Sequence, residues 1–143
     1  MFKEDLELWK QVEREFATRL MKRDVSKLEF SQWKFKERDV KATFKKLGHD
    51  VERTFEIKND MVSERTWNVW FEVTCNWEPS GVYASKADYI VYKLGDKFYY
   101  VDRARLLIRL ASVDKEIVLW GDNKSSELFL VKKDYFNAMT KEL

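Results

Sequence analysis

Asp39, Glu56 and Lys58 are the residues whose types and spacing could do chemistry. They belong to a stretch, residues 39 to 60, in which apolar residues recur at every second position: Val40, Ala42 and Phe44, then Phe55 and Ile57. That period is the mark of two strands with one face buried. Gly48 and His49 lie between the runs, and a two-residue loop there pairs Leu47 with Asp50. The resulting register sets Val40 opposite Ile57, Ala42 opposite Phe55, Asp39 opposite Lys58, and Lys41 opposite Glu56, with Glu56 one diagonal step from Asp39. Directly opposed side chains stand about 5 Å apart at Cβ, and diagonal ones about 7–8 Å. Two carboxylates at that separation can share one divalent cation with the Lys58 ammonium beside it, and these are the parts that activate water against a phosphodiester. The same residues also suit plain cross-strand ion pairs on a solvated face, Lys41 with Glu56, Lys45 with Glu52 and Lys58 with Asp39. Each such pair contributes about 0.2–1 kcal/mol.

Asp39, sixteen intervening residues and then Glu56-Ile57-Lys58 resemble the signature of the PD-(D/E)xK nucleases. In that family an Asp starts one strand and Glu-x-Lys ends its antiparallel neighbour; Arg38 stands here where Pro is usual. The resemblance implies a DNA endonuclease that depends on Mg²⁺ or Mn²⁺. It implies that Asp39, Glu56 and the carbonyl of Ile57 hold the ion, and that Lys58 orients or helps deprotonate the attacking water. In archaeal Holliday junction resolvases of this group a first-helix glutamate joins the metal site, and Glu13 resembles it; a Glu at the edge of the apolar stripe, paired with a basic residue, is the other reading. Asp60 and Glu72 are supporting candidates, and they also form a rival assignment, Asp60, eleven intervening residues, then Glu72-Val73-Thr74, in which Thr replaces the lysine.

A narrower resemblance spans roughly residues 30 to 105. The order Phe55-Glu56-Ile57-Lys58-Asn59-Asp60, Asn68-Val69-Trp70-Phe71-Glu72, Pro79-Ser80-Gly81 and Lys86-Ala87-Asp88-Tyr89 looks like small phage-encoded members of the fold. There a Thr-Gly-Asn usually precedes the fourth strand, and here the residues are Thr66-Trp67-Asn68. Lys34, Lys36, Arg65 and Lys86 are the expected nucleic-acid contacts. DNA, branched DNA included, is the implied partner, and a homodimer is compatible with it. The missing Pro, Trp67 and the small net charge leave room for a catalytically degenerate member that binds nucleic acid or a protein partner, or for an inhibitor acting through its aromatic surface.

The whole chain narrows these classes. Its 143 residues suffice for one domain with a real core, and 45% hydrophobic with 15% aromatic residues describe a globular protein. Lys and Arg total 27 against 25 acids, a net +2 that is no nucleic-acid footprint by itself. The single cysteine, Cys75, excludes an intrachain disulfide and a zinc finger, and the single histidine, His49, excludes a His-rich metal site. The charged N-terminus lacks the apolar region of a signal peptide, and no apolar run approaches the ~18 residues of a membrane helix. A cytoplasmic location, in a bacterium or an infected cell, is the expectation, with no membrane partner.

Positioning the candidate residues falls to a series of elements. Residues 4 to 23 have helical period, with Leu6, Trp9, Val12, Phe16 and Leu20 along the apolar side. A strand over 27 to 34 leads into the hairpin, and Asn68 to Trp77 form another whose polar face carries Glu72. Tyr89 to Leu94 is nearly continuously apolar and reads as a central strand covered on both faces. Gly95-Asp96 turns it back into 97 to 101. Asp102 caps a helix over 103 to 111, with Leu106, Leu107 and Leu110 inward and Arg103, Arg105 and Arg109 outside. Strands at 116 to 120 and 127 to 131 precede a closing helix over 134 to 143. The expected fold is α+β and single-domain: an N-terminal helix, then a mixed, mostly antiparallel central sheet flanked by helices, restriction-endonuclease-like.

Overall fold

A computed structural model of the chain describes residues 3–30, 40–60 and 66–143, apart from the side chains of residues 3–6, 9, 60 and 122. The fold is α+β, and it holds two sheets rather than one. Helix α1 (Lys3–Leu20) precedes β1 (Val25–Phe30), β2 (Val40–Lys46) and β3 (His49–Asp60). Then come β4 (Asn68–Cys75), β5 (Glu78–Pro79), the short α2 (Gly81–Ala84), β6 (Tyr89–Leu94) and β7 (Lys97–Asp102). Helix α3 (Arg103–Ser112), β8 (Glu116–Trp120), β9 (Ser126–Lys132), α4 (Lys133–Met139) and β10 (Lys141–Glu142) complete the order. A six-stranded sheet runs β1-β2-β3-β6-β7-β10, and a four-stranded sheet runs β5-β4-β9-β8. Only the β3–β6 pairing is parallel among the described strands; the rest are antiparallel. A parallel pairing needs a long crossover, and the excursion through β4, β5 and α2 supplies it.

Two cores lie on opposite faces of the large sheet. On one, Val12, Phe16 and Leu20 recur at helical spacing along α1 and pack on Val40, Ala42, Phe55, Ile57, Val91 and Phe98. On the other, Ile90, Tyr92, Leu94 and Val101 meet Val69, Phe71, Phe129 and Val131 of the small sheet, with Leu106, Leu110 and Phe136 from α3 and α4. Strand β6 therefore feeds both cores by alternation, which explains its continuous apolar sequence. Burying one such Phe or Leu side chain contributes about 1.5–3 kcal/mol. At the crossover, Gly81 has φ +53°, and a Cβ there would lie 2.2 Å from the Glu72 carbonyl oxygen, so only glycine fits between β4 and α2.

Several expectations change. The hairpin loop is Leu47-Gly48, not Gly48-His49, so Lys46 pairs with His49 and Val40 with Phe55. Leu47 and Gly48 have φ of 50° and 81°; a two-residue turn with both φ positive suits strand twist and places glycine second. The register moves by two residues and the faces stay as expected. Strand β4 stops at Cys75, because Asn76 and Trp77 take φ of 52° and 67°. The closing helix ends at Met139, where the Thr140 hydroxyl donates to the Phe136 carbonyl at 2.9 Å, and β10 then adds an edge to the large sheet. Asp102 caps α3 as expected, its Oδ1 accepting from the Arg105 N–H at 3.0 Å. Among the described residues, no helix is long and apolar enough to cross a membrane.

Candidate functional site on strand β3

Strand β3 is flanked by β2 and β6, so its middle can carry side chains away from water on both faces. Phe55 and Ile57 point into the α1 core. Glu56 and Lys58, out of phase with them, leave from the opposite face, where Glu56 is level with Ile90 and Lys58 with Tyr92. Glu56 is 8% exposed, an unusual position for a carboxylate. Lys58 Nζ lies 3.1 Å from Glu56 Oε2. The contact is an ion pair outside hydrogen-bond geometry, and Oε2 accepts no hydrogen bond among the described residues.

One step back along the same face, Thr54 and Asp88 clasp β3 to the start of β6. Asp88 Oδ2 accepts from the Thr54 N–H at 2.9 Å and from its hydroxyl at 3.2 Å, and the Asp88 N–H donates to Thr54 Oγ1 at 2.9 Å. The Asp88 carbonyl then accepts from the Arg103 N–H at 2.9 Å. This reciprocal set fixes the parallel register that holds Glu56 beside Ile90. Asp88 had one sequence signal, an Asp immediately ahead of an apolar strand, but nothing identified Thr54 as its partner.

The remaining predicted residues are distributed differently. Asp39, Lys34, Lys36 and Arg65 lie outside the described residues. Asp60 ends β3, its backbone level with Leu94, and its side chain is outside the description as well. Glu13 is half-buried on α1. That helix packs on the Phe55–Ile57 face, whereas Glu56 leaves from the other. Glu72 is exposed on β4, whose alternate residues Phe71 and Val73 point at the large sheet. It therefore faces away from the hairpin, and its expected place as a supporting candidate for the site there is corrected. Its strand belongs to the second sheet, which alternation within one strand could not reveal. Lys86 is exposed in the segment leading to β6. Among the described residues, no three His, Cys, Asp or Glu side chains gather in a way that could hold a metal ion.

The polar face of the hairpin pairs differently as well. With the shifted register Lys41 lies opposite Thr54 rather than Glu56. Its ammonium reaches Glu29 at 3.4 Å and Glu52 at 3.2 Å, and Lys27 reaches Glu29 at 3.2 Å. A hydrogen bond from Lys27 and its charge, reinforced by Lys41, hold the Glu29 carboxyl below its usual value. Arg103 does not stay outside as expected: its guanidinium donates to the carbonyls of Val82 at 3.0 Å and Tyr83 at 2.9 Å, tying α3 to α2. No family model matches the chain, and no curated protein or solved structure matches it either. The Glu56–Lys58 pair and its supporting clasp thus stand on their own chemistry. They offer a desolvated carboxylate oxygen with a cation beside it, at the middle of a rigid strand.

Proposed function

We propose that the chain is a metal-dependent DNA endonuclease of the PD-(D/E)xK type, with a restriction-endonuclease-like arrangement of its first helix and large mixed sheet. The observation that carries the reading is Glu56: a carboxylate 8% exposed, with an oxygen that accepts no hydrogen bond among the described residues and the Lys58 ammonium 3.1 Å away. Such an oxygen suits a hard divalent cation, which binds carboxylate and carbonyl oxygens. Glu56, Asp39 and the Ile57 carbonyl are the residues that would hold Mg²⁺ or Mn²⁺. Asp39 directly precedes Val40 in the chain, and Val40 pairs with Phe55, the residue directly before Glu56. A further support is Trp67, at the position of the glycine in the family's Thr-Gly-Asn: its φ is 59°, which glycine adopts without strain.

When bound, the ion supplies Lewis acidity at the phosphate and a water acidic enough to be deprotonated near neutral pH. Lys58 orients that water and offsets negative charge as the phosphorus becomes pentavalent. Glu56 keeps the ammonium of Lys58 in place, and the Thr54–Asp88 clasp keeps Glu56 at its level on the sheet. Incubation with supercoiled plasmid and with branched DNA in Mg²⁺ or Mn²⁺ tests the reading. Cutting is expected, with a loss on the order of 10²–10³-fold for Lys58→Ala. No cutting by the parent protein, or equal cutting by the variant, ends it.

A second reading is a nuclease-fold protein that holds nucleic acid or a protein partner without cleavage. It is favoured by Lys58, whose ammonium 3.1 Å from Glu56 already neutralises the carboxylate. Calorimetric titration with Mn²⁺ separates the two. Binding that is lost in Asp39→Ala and Glu56→Gln supports catalysis, and the absence of Mn²⁺ binding with DNA still bound supports the second reading.

A further inference from the structure

The α1 face of the large sheet carries a cavity of about 440 Å³ at its hairpin end, and neither reading above uses it. Its size lies within the ~300–1,000 Å³ that small-molecule pockets occupy. The wall is aromatic: Phe44, Phe55, Tyr89 and Tyr100 line it. Phe55 and Tyr89 are stacked, with centroids 5.2 Å apart and planes 16° from parallel, while Phe44 and Tyr100 stand at 54° and 68° to their neighbours. The ring planes around the cavity therefore lie in more than one orientation. Neither tyrosine hydroxyl makes a hydrogen bond among the described residues.

The charges around this wall are one-sided. Lys22, Arg23, Lys45, Lys46 and Arg53 line the cavity with a single acidic side chain, Asp24. The whole chain carries only +2, so cations are concentrated here well above the average. Lys22, Arg23, Lys45 and Lys46 enter no ion pair among the described residues. The rim is held in place by backbone bonds: Lys45 N–H donates to the Asp24 carbonyl at 3.2 Å, joining the hairpin to the turn after α1. Arg53 donates from Nη1 to the Glu52 carbonyl at 2.9 Å, which leaves its other donors for a ligand.

We infer that this cavity binds a nucleoside phosphate. A planar base is the group that aromatic walls of this kind accept by stacking. The tyrosine hydroxyls can bond to its ring heteroatoms, and the lysines and arginines can take the phosphate through charge-assisted hydrogen bonds. An alkyl chain would leave those hydroxyls unmatched, and a bare anion would leave the ring faces unused. The ligand is either a free nucleotide or an unpaired nucleotide of a strand. The cavity lies on the face of the sheet opposite Glu56, so its occupancy does not rest on the endonuclease reading.

Calorimetry on the full chain, with AMP, a short oligo(dT), inorganic phosphate and octanoate as separate probes, tests the assignment. AMP or the oligonucleotide is expected to bind at least about tenfold tighter than phosphate, and the affinity should fall as salt rises. AMP binding as tight as the oligonucleotide identifies the free nucleotide as the ligand; an oligonucleotide at least about tenfold tighter identifies a strand. Lys45→Glu and Lys22→Glu, both at exposed positions where folding is undisturbed, should each weaken binding about tenfold, and Tyr89→Leu should do so with an unchanged circular dichroism spectrum. Lys124→Glu, the same charge reversal at an exposed position outside the cavity lining, should leave the affinity unchanged, which separates this site from a general response to charge. No saturation by either nucleotide probe at about 1 mM, phosphate or octanoate binding as tightly as AMP, or insensitivity to both charge reversals would each overturn the inference.

Discussion

On one side the large sheet is covered by a single helix, and on the other by a second sheet together with α3 and α4. A helix covers a narrow strip. Along that strip Phe16 sits 5.4 Å from Phe55 and 5.7 Å from Phe98, but beside it the rings of Phe44, Tyr89 and Tyr100 stay half-exposed around the cavity. A sheet covers evenly. There Phe71, Tyr92 and Phe136 close on one another at 5.0, 6.2 and 5.5 Å, and the Tyr92 hydroxyl donates to the Trp70 carbonyl at 2.9 Å. The same architecture that seals this core also takes Glu56 out of water, with a partner only two residues along its own strand. The cover laid over a sheet decides whether its polar residues become a buried pair or an open rim.

The contrast can be broken most strongly in the sealed core. Phe71→Ala or Phe136→Ala, at fully buried positions, should cost about 3–5 kcal/mol in denaturant unfolding, whereas Phe44→Ala at the cavity should cost well under half of that. Equal losses would mean that the helix side is as tightly packed as the other. Lys58→Ala leaves a buried carboxylate without its cation and should destabilise by about 1–3 kcal/mol at pH 7, with much of the loss recovered in Glu56→Gln/Lys58→Ala. A double variant no more stable than the single one would show that Glu56 is solvated from elsewhere. Asp88→Ala removes the two hydrogen bonds that its carboxylate accepts from Thr54 and should cost about 1–2 kcal/mol, seen as faster amide exchange along β6.

The smallest effect concerns the exposed end of the hairpin. Folding lowers the Glu29 pKa from its ordinary 4.5, so its ion pairs with Lys27 and Lys41 stabilise the fold above that pH and are lost as the pH falls through the folded value. Thermal unfolding followed from pH 6 to pH 3 should show a slightly shallower decline for Glu29→Gln than for the parent. An identical profile would assign the acid sensitivity to other carboxylates.

Much of this was legible beforehand. The Val12-Phe16-Leu20 stripe, the two-sided burial of β6 and the Asp102 cap are local patterns, each set by a few neighbouring residues. The alternation in β2 and β3 likewise assigned Glu56 and Lys58 to one face. Register was harder, because Leu47 reads as a strand residue although it is fully exposed in the turn. The second sheet was invisible for a different reason. Alternation in β4 told which side Phe71 occupies, yet no residue in β4 announces that its partner is β9, far ahead in the chain. Glu72 was misplaced on that account, and the cavity was missed because its lining comes from segments scattered between residues 16 and 143.

Strand β6 supplies Val91 to one core and Ile90, Tyr92 and Leu94 to the other. A chain growing from its N-terminus on the ribosome therefore completes the α1 core only once Phe98 has emerged, and the other core only once Phe136 has. Until then Phe71 remains uncovered. Nascent chains that stall before that point are the ones expected to be sticky and to need chaperones.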